Sequence, residues 1–149
     1  MPLKSFRGKL ASAAVQRIKL STNNGLTGYK IKKFDIMAQN PGSTVYEHTA
    51  QVHTVDPGSP ATAPINFTNP TLLAVGFIQG EGDTSTTNSY QVVFDTMTVN
   101  QDIYIGQIDT KDGLDMNYYI ELEVIKLDLS EATVATLKDM RGNYTNRDP

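Results

Sequence analysis

The stretch Asn117-Tyr118-Tyr119-Ile120-Glu121-Leu122-Glu123-Val124 decides the fold of this protein. Apolar side chains occupy every second position from residue 118, and glutamates stand between them at 121 and 123. Successive side chains of a β-strand point to opposite faces, so a period of two buries one face and leaves the other in water. The stretch therefore predicts a half-buried strand over residues 116–127, of the kind found in antiparallel sheets.

The apolar phase changes at the end of this strand. After Val124 the apolar residues continue at Ile125, Leu127 and Leu129, which lie on the alternate positions. A period of two cannot change phase without an extra residue, so we expect a bulge or bend near 124–125. Residues 28–38 change phase in the same way, and a second irregularity is expected there.

Further strands lie upstream, separated by residues that are typical of turns. The predicted strands are 15–21, 28–38, 44–55, 71–79, 89–99, 102–109 and 116–127. Turns such as Asn23-Asn24-Gly25 and Lys111-Asp112-Gly113 tolerate a positive φ and favour tight connections. Seven strands with frequent turns in a chain of 149 residues predict an all-β fold, an antiparallel β-sandwich of the jelly-roll kind.

A single short helix is predicted near the C-terminus, over about residues 130–141. Asp128 or Ser130 can cap its start, because a short polar side chain accepts a hydrogen bond from the first turn. Val134 and Leu137 form part of a narrow apolar stripe along it.

The composition excludes several classes of protein. The chain is 39% hydrophobic, which is enough for one domain with its own core. It has no Cys, which excludes disulfide frameworks, cysteine zinc sites and thiol chemistry. No apolar run approaches the roughly 18–20 residues of a membrane helix, so no membrane contact is expected. No catalytic residue, metal ligand or cofactor is predicted, because no P-loop, dinucleotide fingerprint or G-x-S-x-G sequence occurs.

The charges are divided unequally along the chain. Residues 1–34 hold eight cations and no acid, whereas residues 35–149 hold all sixteen acids and five cations. We interpret residues 1–20 as a basic N-terminal arm and residues 21–149 as the β-sandwich domain that ends in the short helix. A basic tip on an acidic body favours a negatively charged partner or neighbouring copies in an oligomer. The predicted partner-binding residues of the arm and the strand edge are Lys4, Phe6, Arg7, Lys9, Arg17, Lys19, Lys30, Lys32 and Lys33.

Two consequences follow for the basic segment. Deletion of residues 1–20 is expected to leave the domain folded but to block its incorporation into a larger assembly. Lys30, Lys32 and Lys33 also fit a nucleic-acid face. Because lysines on edge strands block unwanted strand pairing, we favour an edge or interface role for them, and nucleic acid is not an expected partner.

Histidines and aspartates offer little for catalysis or metal binding. His48 and His53 lie five positions apart on one predicted strand, so they point to opposite faces and cannot share a metal. We expect both at the surface or at an interface. Asp109, Asp112 and Asp115 surround a glycine, but their spacing is not that of a calcium-binding EF-hand loop, and they are interpreted as a solvated turn.

Residues 117–141, NYYIELEVIKLDLSEATVATLKDMR, resemble the C-terminal part of small virion structural proteins of marine tailed bacteriophages. These phages infect cyanobacteria and abundant ocean heterotrophs. Residues 28–42 and 100–105 are similar to the same family, with 56–70 and 80–88 as its variable loops. The resemblance implies a virion structural protein rather than an enzyme, and it supplies no functional residues to transfer.

The sequence and the resemblance together suggest a capsid decoration or cement subunit located in the virion. Its expected partners are the major capsid protein, or tail and neck proteins, and further copies of itself in a homo-oligomer. One alternative is a neck, tail or fibre-attachment subunit. Another is a carbohydrate or host-surface binding module that uses loops 56–70 and 80–88 at one end of the sandwich, with Tyr46 or Tyr90 stacking on a sugar.

Overall fold

The computed structural model describes residues 2–22, 24–41, 45–58, 64–81, 87–94 and 97–137. In these ranges the chain forms eight strands and one helix, α1, which spans residues 129–137. The strands are β1 (Leu3–Leu10), β2 (Val15–Ile18), β3 (Thr27–Ala38), β4 (Val45–His53), β5 (Leu72–Glu81), β6 (Thr87–Val93), β7 (Ile103–Asp109) and β8 (Met116–Lys126). Seven of them match the predicted strands, and β1 is the addition.

The described strands form two sheets that pack face to face. The smaller sheet has the order β1-β8-β3, and the larger sheet has the order β2-β7-β4-β5-β6. All named pairings are antiparallel. Strand β3 packs across the interior against β4, β5 and β6. The predicted all-β antiparallel sandwich with a short C-terminal helix is confirmed, whereas a jelly-roll topology is not.

The core lies between the two sheets and follows the period of two read from the sequence. Ile120 and Leu122 of β8 are fully buried, and so are Ile103 and Ile105 of β7 on the opposite sheet. Residues between them in β8 stay partly exposed, which gives this strand its alternating burial. Phe34 of β3 fills the space between the sheets at 1% exposure.

The N-terminal segment belongs to both sheets. Strand β1 pairs with β8 from Leu3 opposite Glu123 to Leu10 opposite Met116. The chain then crosses to the larger sheet, where β2 pairs with β7. A basic arm over residues 1–20 that is distinct from the domain is therefore not confirmed.

The inward face of β1 explains why this segment joins the sandwich. Phe6 packs against the core and Leu10 is buried in it. Gly8 lies between them under the ring of Tyr118, so close that an added Cβ would meet that ring at 2.9 Å. Because the middle inward residue has no side chain, the period of two is hidden in the sequence.

Of the two predicted irregularities, the one within residues 28–38 is confirmed. The register of β3 against β8 shifts between Ile31 and Lys33. The extra residue of this bulge is Lys32, which is exposed. The bulge moves the apolar side chains after it back to the core face.

The irregularity predicted near 124–125 is not seen in the register, which runs through Val124 and Ile125 without a shift. The apolar phase changes there because the other face of β8 is also covered. Ile125 packs with Leu127 against a second cluster, to which α1 contributes the buried Ala132 and Ala135. Two cores, one on each face, therefore account for the pattern.

The start of α1 agrees with its predicted cap. The backbone nitrogen of Glu131 donates to the Asp128 carboxylate at 2.7 Å, and the backbone nitrogen of Asp128 donates to the Glu131 carboxylate at 3.2 Å. This reciprocal pair is a capping box. Val134 and Leu137 of the predicted apolar stripe are exposed. The predicted helical residues 138–141 lie outside the described residues.

Candidate binding surface

The outer face of the smaller sheet gathers five of the nine predicted partner-binding residues. Because β8 lies between β1 and β3, outward side chains line up in rows across three strands. The rows, from β1 through β8 to β3, are Leu3–Glu123–Lys30, Ser5–Glu121–Lys33, Arg7–Tyr119–Asp35 and Lys9–Asn117–Met37. Cations thus occupy both edge strands, and the two glutamates lie on the central strand.

Two of the lysines on β3 are held by nearby carboxylates. The Lys32 ammonium lies 3.8 Å from Glu123, and the Lys33 ammonium lies 3.4 Å from Asp35. Exposed pairs of this kind contribute at most about 1 kcal/mol each to stability. Their main effect is to fix where the charges stand on the surface.

Arg7 and Lys30 are the cations of this face best placed for a partner. Neither forms an ion pair with a residue of the described chain, whereas Lys9 lies 3.7 Å from Asp115. Arg7 is exposed and Lys30 is half-buried. A guanidinium can bind a carboxylate through two parallel hydrogen bonds, so Arg7 can fix the orientation of an acidic group.

A shallow groove of about 620 Å³ crosses one end of this face and is lined by all three strands. Its outward lining residues are Arg7, Lys9, Asp35, Met37, Asn117 and Tyr119. Met37 is 61% exposed, and the Tyr119 hydroxyl donates to the Glu121 carboxylate at 2.9 Å. Met37 adds an exposed apolar side chain to the β3 side of the groove, next to Asp35, while Arg7 and Lys9 line its β1 side.

The sequence pattern alone does not mark Met37 or Tyr119 as functional residues. Alternation does place Tyr119 on the solvent face of β8 with Glu121, and it places Met37 on the same face of β3 as Asp35. The missing information was the register, because only the pairing of β3 with β8 sets these residues side by side.

The four other predicted partner-binding residues lie elsewhere. Lys4 and Phe6 share the side of β1 that turns toward the core, and the ammonium lies 5.4 Å from the ring centroid, within cation–π range. Arg17 and Lys19 lie in or next to β2, at the edge of the larger sheet. The structure therefore divides the predicted cationic segment between two sheets.

Arg17 is engaged in holding the fold. Its guanidinium pairs with the buried carboxylate of Asp102, which also accepts hydrogen bonds at 2.8 Å from the backbone nitrogens of Leu20 and Ser21. Burial acts to raise the pKa of Asp102, but these hydrogen bonds outweigh it and hold that pKa below its ordinary value. Asp102 thus fastens the end of β2 to the start of β7.

Both histidines are buried, so the prediction of surface positions is wrong. His48 is 0% exposed and His53 is 7% exposed. They do lie on opposite faces of β4, as expected. His48 stacks on the buried ring of Tyr46, and His53 stands opposite Tyr104 of β7.

Gln107 links His48 to the smaller sheet. Its side-chain nitrogen donates to the carbonyl oxygens of Leu10 at 3.0 Å and Leu114 at 3.2 Å. Its Oε1 lies 3.1 Å from Nδ1 of His48. Since the amide nitrogen is needed by two carbonyls, Oε1 must accept, and Nδ1 of His48 is the donor.

Asp109 caps the turn between β7 and β8 and is buried, so its predicted solvated position is wrong. Its carboxylate accepts hydrogen bonds from the backbone nitrogens of Glu47 at 3.1 Å and of Lys111 and Leu114 at 2.9 Å. Burial acts to raise the pKa of Asp109, but these bonds prevail and lower it. Within the described ranges, no three His, Asp or Glu side chains are grouped to hold a metal ion.

The two loops proposed for sugar binding join β5 at opposite ends of this strand, which is roughly 30 Å long. Their residues 59–63 and 82–86 lie outside the described residues. Tyr46 is 5% exposed and cannot stack on a ligand, whereas Tyr90 is 66% exposed. Of the two tyrosines proposed to stack on a sugar, Tyr90 alone is accessible.

No protein-family model, curated protein or solved structure matches this chain. No helix in the described part of the chain has the length and hydropathy needed to cross a bilayer. The function is therefore inferred from the surfaces of the sandwich and from the sequence resemblance.

Proposed function

We propose that this protein is a non-enzymatic structural subunit of a virion and that it binds neighbouring virion proteins through the outer face of its smaller sheet. The carrying observation is the set of cations on both edge strands of that one sheet, Arg7, Lys9, Lys30, Lys32 and Lys33. In a protein of net charge −3, cations collected on one face favour an acidic partner surface. The resemblance of residues 117–141 to small phage virion proteins supports the nature of the assembly.

A capsid decoration or cement role fits this surface best. A subunit present in many copies needs a weak contact per copy, because the contacts act together on one particle. The cationic face would lie against acidic groups of the major capsid protein, while the groove would receive a short segment of it. Exposed charges of this kind orient the encounter and are screened by salt.

The test of the role is the copy number in purified particles, measured by quantitative mass spectrometry against the major shell protein. One to a few copies per capsomer are expected for decoration. A few copies per particle would replace this role by the alternative of a neck, tail or fibre-attachment subunit. Absence from the particles would overturn the virion proposal.

The test of the surface is charge reversal on the smaller sheet. We expect the double variant Arg7→Glu with Lys33→Glu to lower incorporation into particles by at least tenfold, with the largest loss at low salt because screening is weakest there. Lys19→Glu is the matched control, since it changes one of the cations outside this face. Equal incorporation of the double variant and the wild type would overturn the assignment of this surface.

A further inference from the structure

Strand β6 forms an edge of the larger sheet and differs from the other edges in its chemistry. Its one neighbour among the named strands is β5. Its seven residues, TNSYQVV, include neither a charged residue nor a proline. An edge strand presents unpaired backbone N–H and C=O groups, which can pair with another chain unless charge, proline or a bulge prevents it.

The remaining edges are protected against pairing with their own copies. Strand β1 carries Lys4, Arg7 and Lys9, and β3 carries three lysines within four positions. Like charges opposite each other destabilise an antiparallel pair. Strand β2 has four residues, one of them Arg17. Among the described edges of seven residues or more, β6 is therefore the one that tolerates its own copy.

The outer face beside β6 leaves apolar side chains in water. Tyr90 stacks on Phe77 of β5 with ring centroids 6.4 Å apart, yet it stays 66% exposed. Val92 on the same face is 37% exposed. Such side chains on an edge lose their contact with water when a further strand is added beside them.

We propose that two copies of this protein pair through β6, antiparallel and around a twofold axis at Tyr90. In this register Tyr90 stands opposite Tyr90 of the second copy, and Val92 stands opposite Asn88 of that copy. Aromatic side chains placed opposite each other stabilise antiparallel strands. The twofold pairing uses both β6 edges, so the larger sheets join into one sheet and the assembly closes as a dimer.

The first test is sedimentation of the purified full-length chain over a range of concentrations. The wild type is expected to shift from monomer to dimer as concentration rises, and Tyr90→Lys is expected to weaken dimerisation at least tenfold. The matched control is Ser5→Lys, which adds the same charge to the exposed outer face of β1 and is expected to keep the wild-type dimerisation constant. A wild type that stays monomeric, or an equal loss in both variants, would overturn the proposal.

The second test keeps the proposal falsifiable if Tyr90→Lys fails to fold. The chain has no Cys, so Tyr90→Cys introduces a single thiol at the proposed axis. Side chains directly opposite on paired strands approach closely enough to be cross-linked. Mild oxidation is expected to give a disulfide dimer from Tyr90→Cys and little from Ser5→Cys, and equal yields would contradict the pairing. Dimerisation is measured on the isolated protein, so its outcome is independent of whether the protein occurs in virions.

Discussion

The two sheets of the sandwich differ in where their polar side chains lie, exposed on the smaller sheet and partly buried in the larger one. The smaller sheet has its charges on the outer face, where Lys32 and Lys33 lie beside carboxylates in water. The larger sheet has buried polar side chains on its adjacent strands β4 and β7, among them His48, Gln107 and Asp109. In the described residues, none of the buried polar side chains belongs to β1, β3 or β8.

This difference separates recognition from stability. Exposed charges can be exchanged at little cost, because water screens them and solvates whichever partner remains. A buried polar group that loses its partner costs the whole penalty of its desolvation. Substitutions on the smaller sheet are therefore expected to change binding, and substitutions in β4 and β7 are expected to change folding.

The largest expected effect comes from deletion of residues 1–20. This removes β1 and β2 together with the buried Leu10, Ile18 and Leu20, each of which contributes about 1.5–3 kcal/mol through burial. The total is comparable to the stability of a typical domain, so the truncated chain is expected to be unfolded by circular dichroism. A cooperative thermal transition like that of the full chain would restore the interpretation of a dispensable arm. Replacement of Lys4, Arg7 and Lys9 by Ser is the control and is expected to stay folded.

The second largest effect is expected from Gln107→Leu, which breaks the polar link between the sheets. It leaves the carbonyls of Leu10 and Leu114 and the Nδ1 proton of His48 without their partner. Unsatisfied buried groups cost about 1–3 kcal/mol each, so we expect a loss of about 3 kcal/mol in the free energy of unfolding. Urea denaturation measures it, with Ser5→Leu on the exposed face of β1 as a control expected to change little.

A smaller effect is expected from acidification. Burial lowers the pKa of His53, so the folded state binds its proton less readily than the unfolded chain, whose ordinary value is 6.5. The contribution of His53 to the free energy of unfolding is constant above 6.5. It falls as pH drops below 6.5 toward the lower pKa of the folded state. Urea denaturation at pH 7.5 and pH 5 is expected to show a smaller loss for His53→Gln than for the wild type. Equal losses would exclude His53 as the cause.

Asp102 and Asp109 act in a lower range of pH. Their pKa values are held below the ordinary 3.8, so the stability they contribute is present above that value and is lost as pH falls below it toward and through the lower folded pKa.

The smallest expected effect is a gain in the free energy of unfolding from a substitution in the segment that crosses between the two sheets. Ala13 has a φ of 70°, a left-handed conformation that costs a residue with a Cβ more than it costs glycine. Ala13→Gly is therefore expected to stabilise the protein by about 0.5 kcal/mol. Ala14→Gly is the matched control and is expected to destabilise the protein, because glycine gains freedom in the unfolded chain and the Ala14 methyl group loses its contact with the core. A loss of stability in both variants would contradict this account.

Alternation and turn residues were sufficient to predict seven strands and the antiparallel sandwich. Short polar residues before the helix predicted a cap at Asp128 or Ser130, and the structure shows it at Asp128. Alternation did not reveal β1, because Gly8 takes the place of an apolar residue on the inward face of that strand. It also predicted a bulge near Ile125, whereas this residue packs on a second core. Alternation also failed for His48, because a buried imidazole depends on Gln107, a residue distant in sequence. The sequence predicted the individual cations of this face. It did not predict that they share one surface, because the register that aligns β1 and β3 on β8 cannot be read from either strand alone.

The central position of β8 in the smaller sheet determines when this sheet can form during synthesis of the chain. On a ribosome, β1 and β3 emerge long before the strand that joins them, because Leu3 pairs with Glu123 and Thr27 pairs with Lys126. Contacts between residues so distant in sequence slow folding, typically to the range of roughly milliseconds to seconds for β-sandwiches. Until β8 has been synthesised, the backbone edges of β1 and β3 that pair with it have no partner strand. Unpaired strand edges favour aggregation, so the nascent chain is exposed to it until β8 is complete.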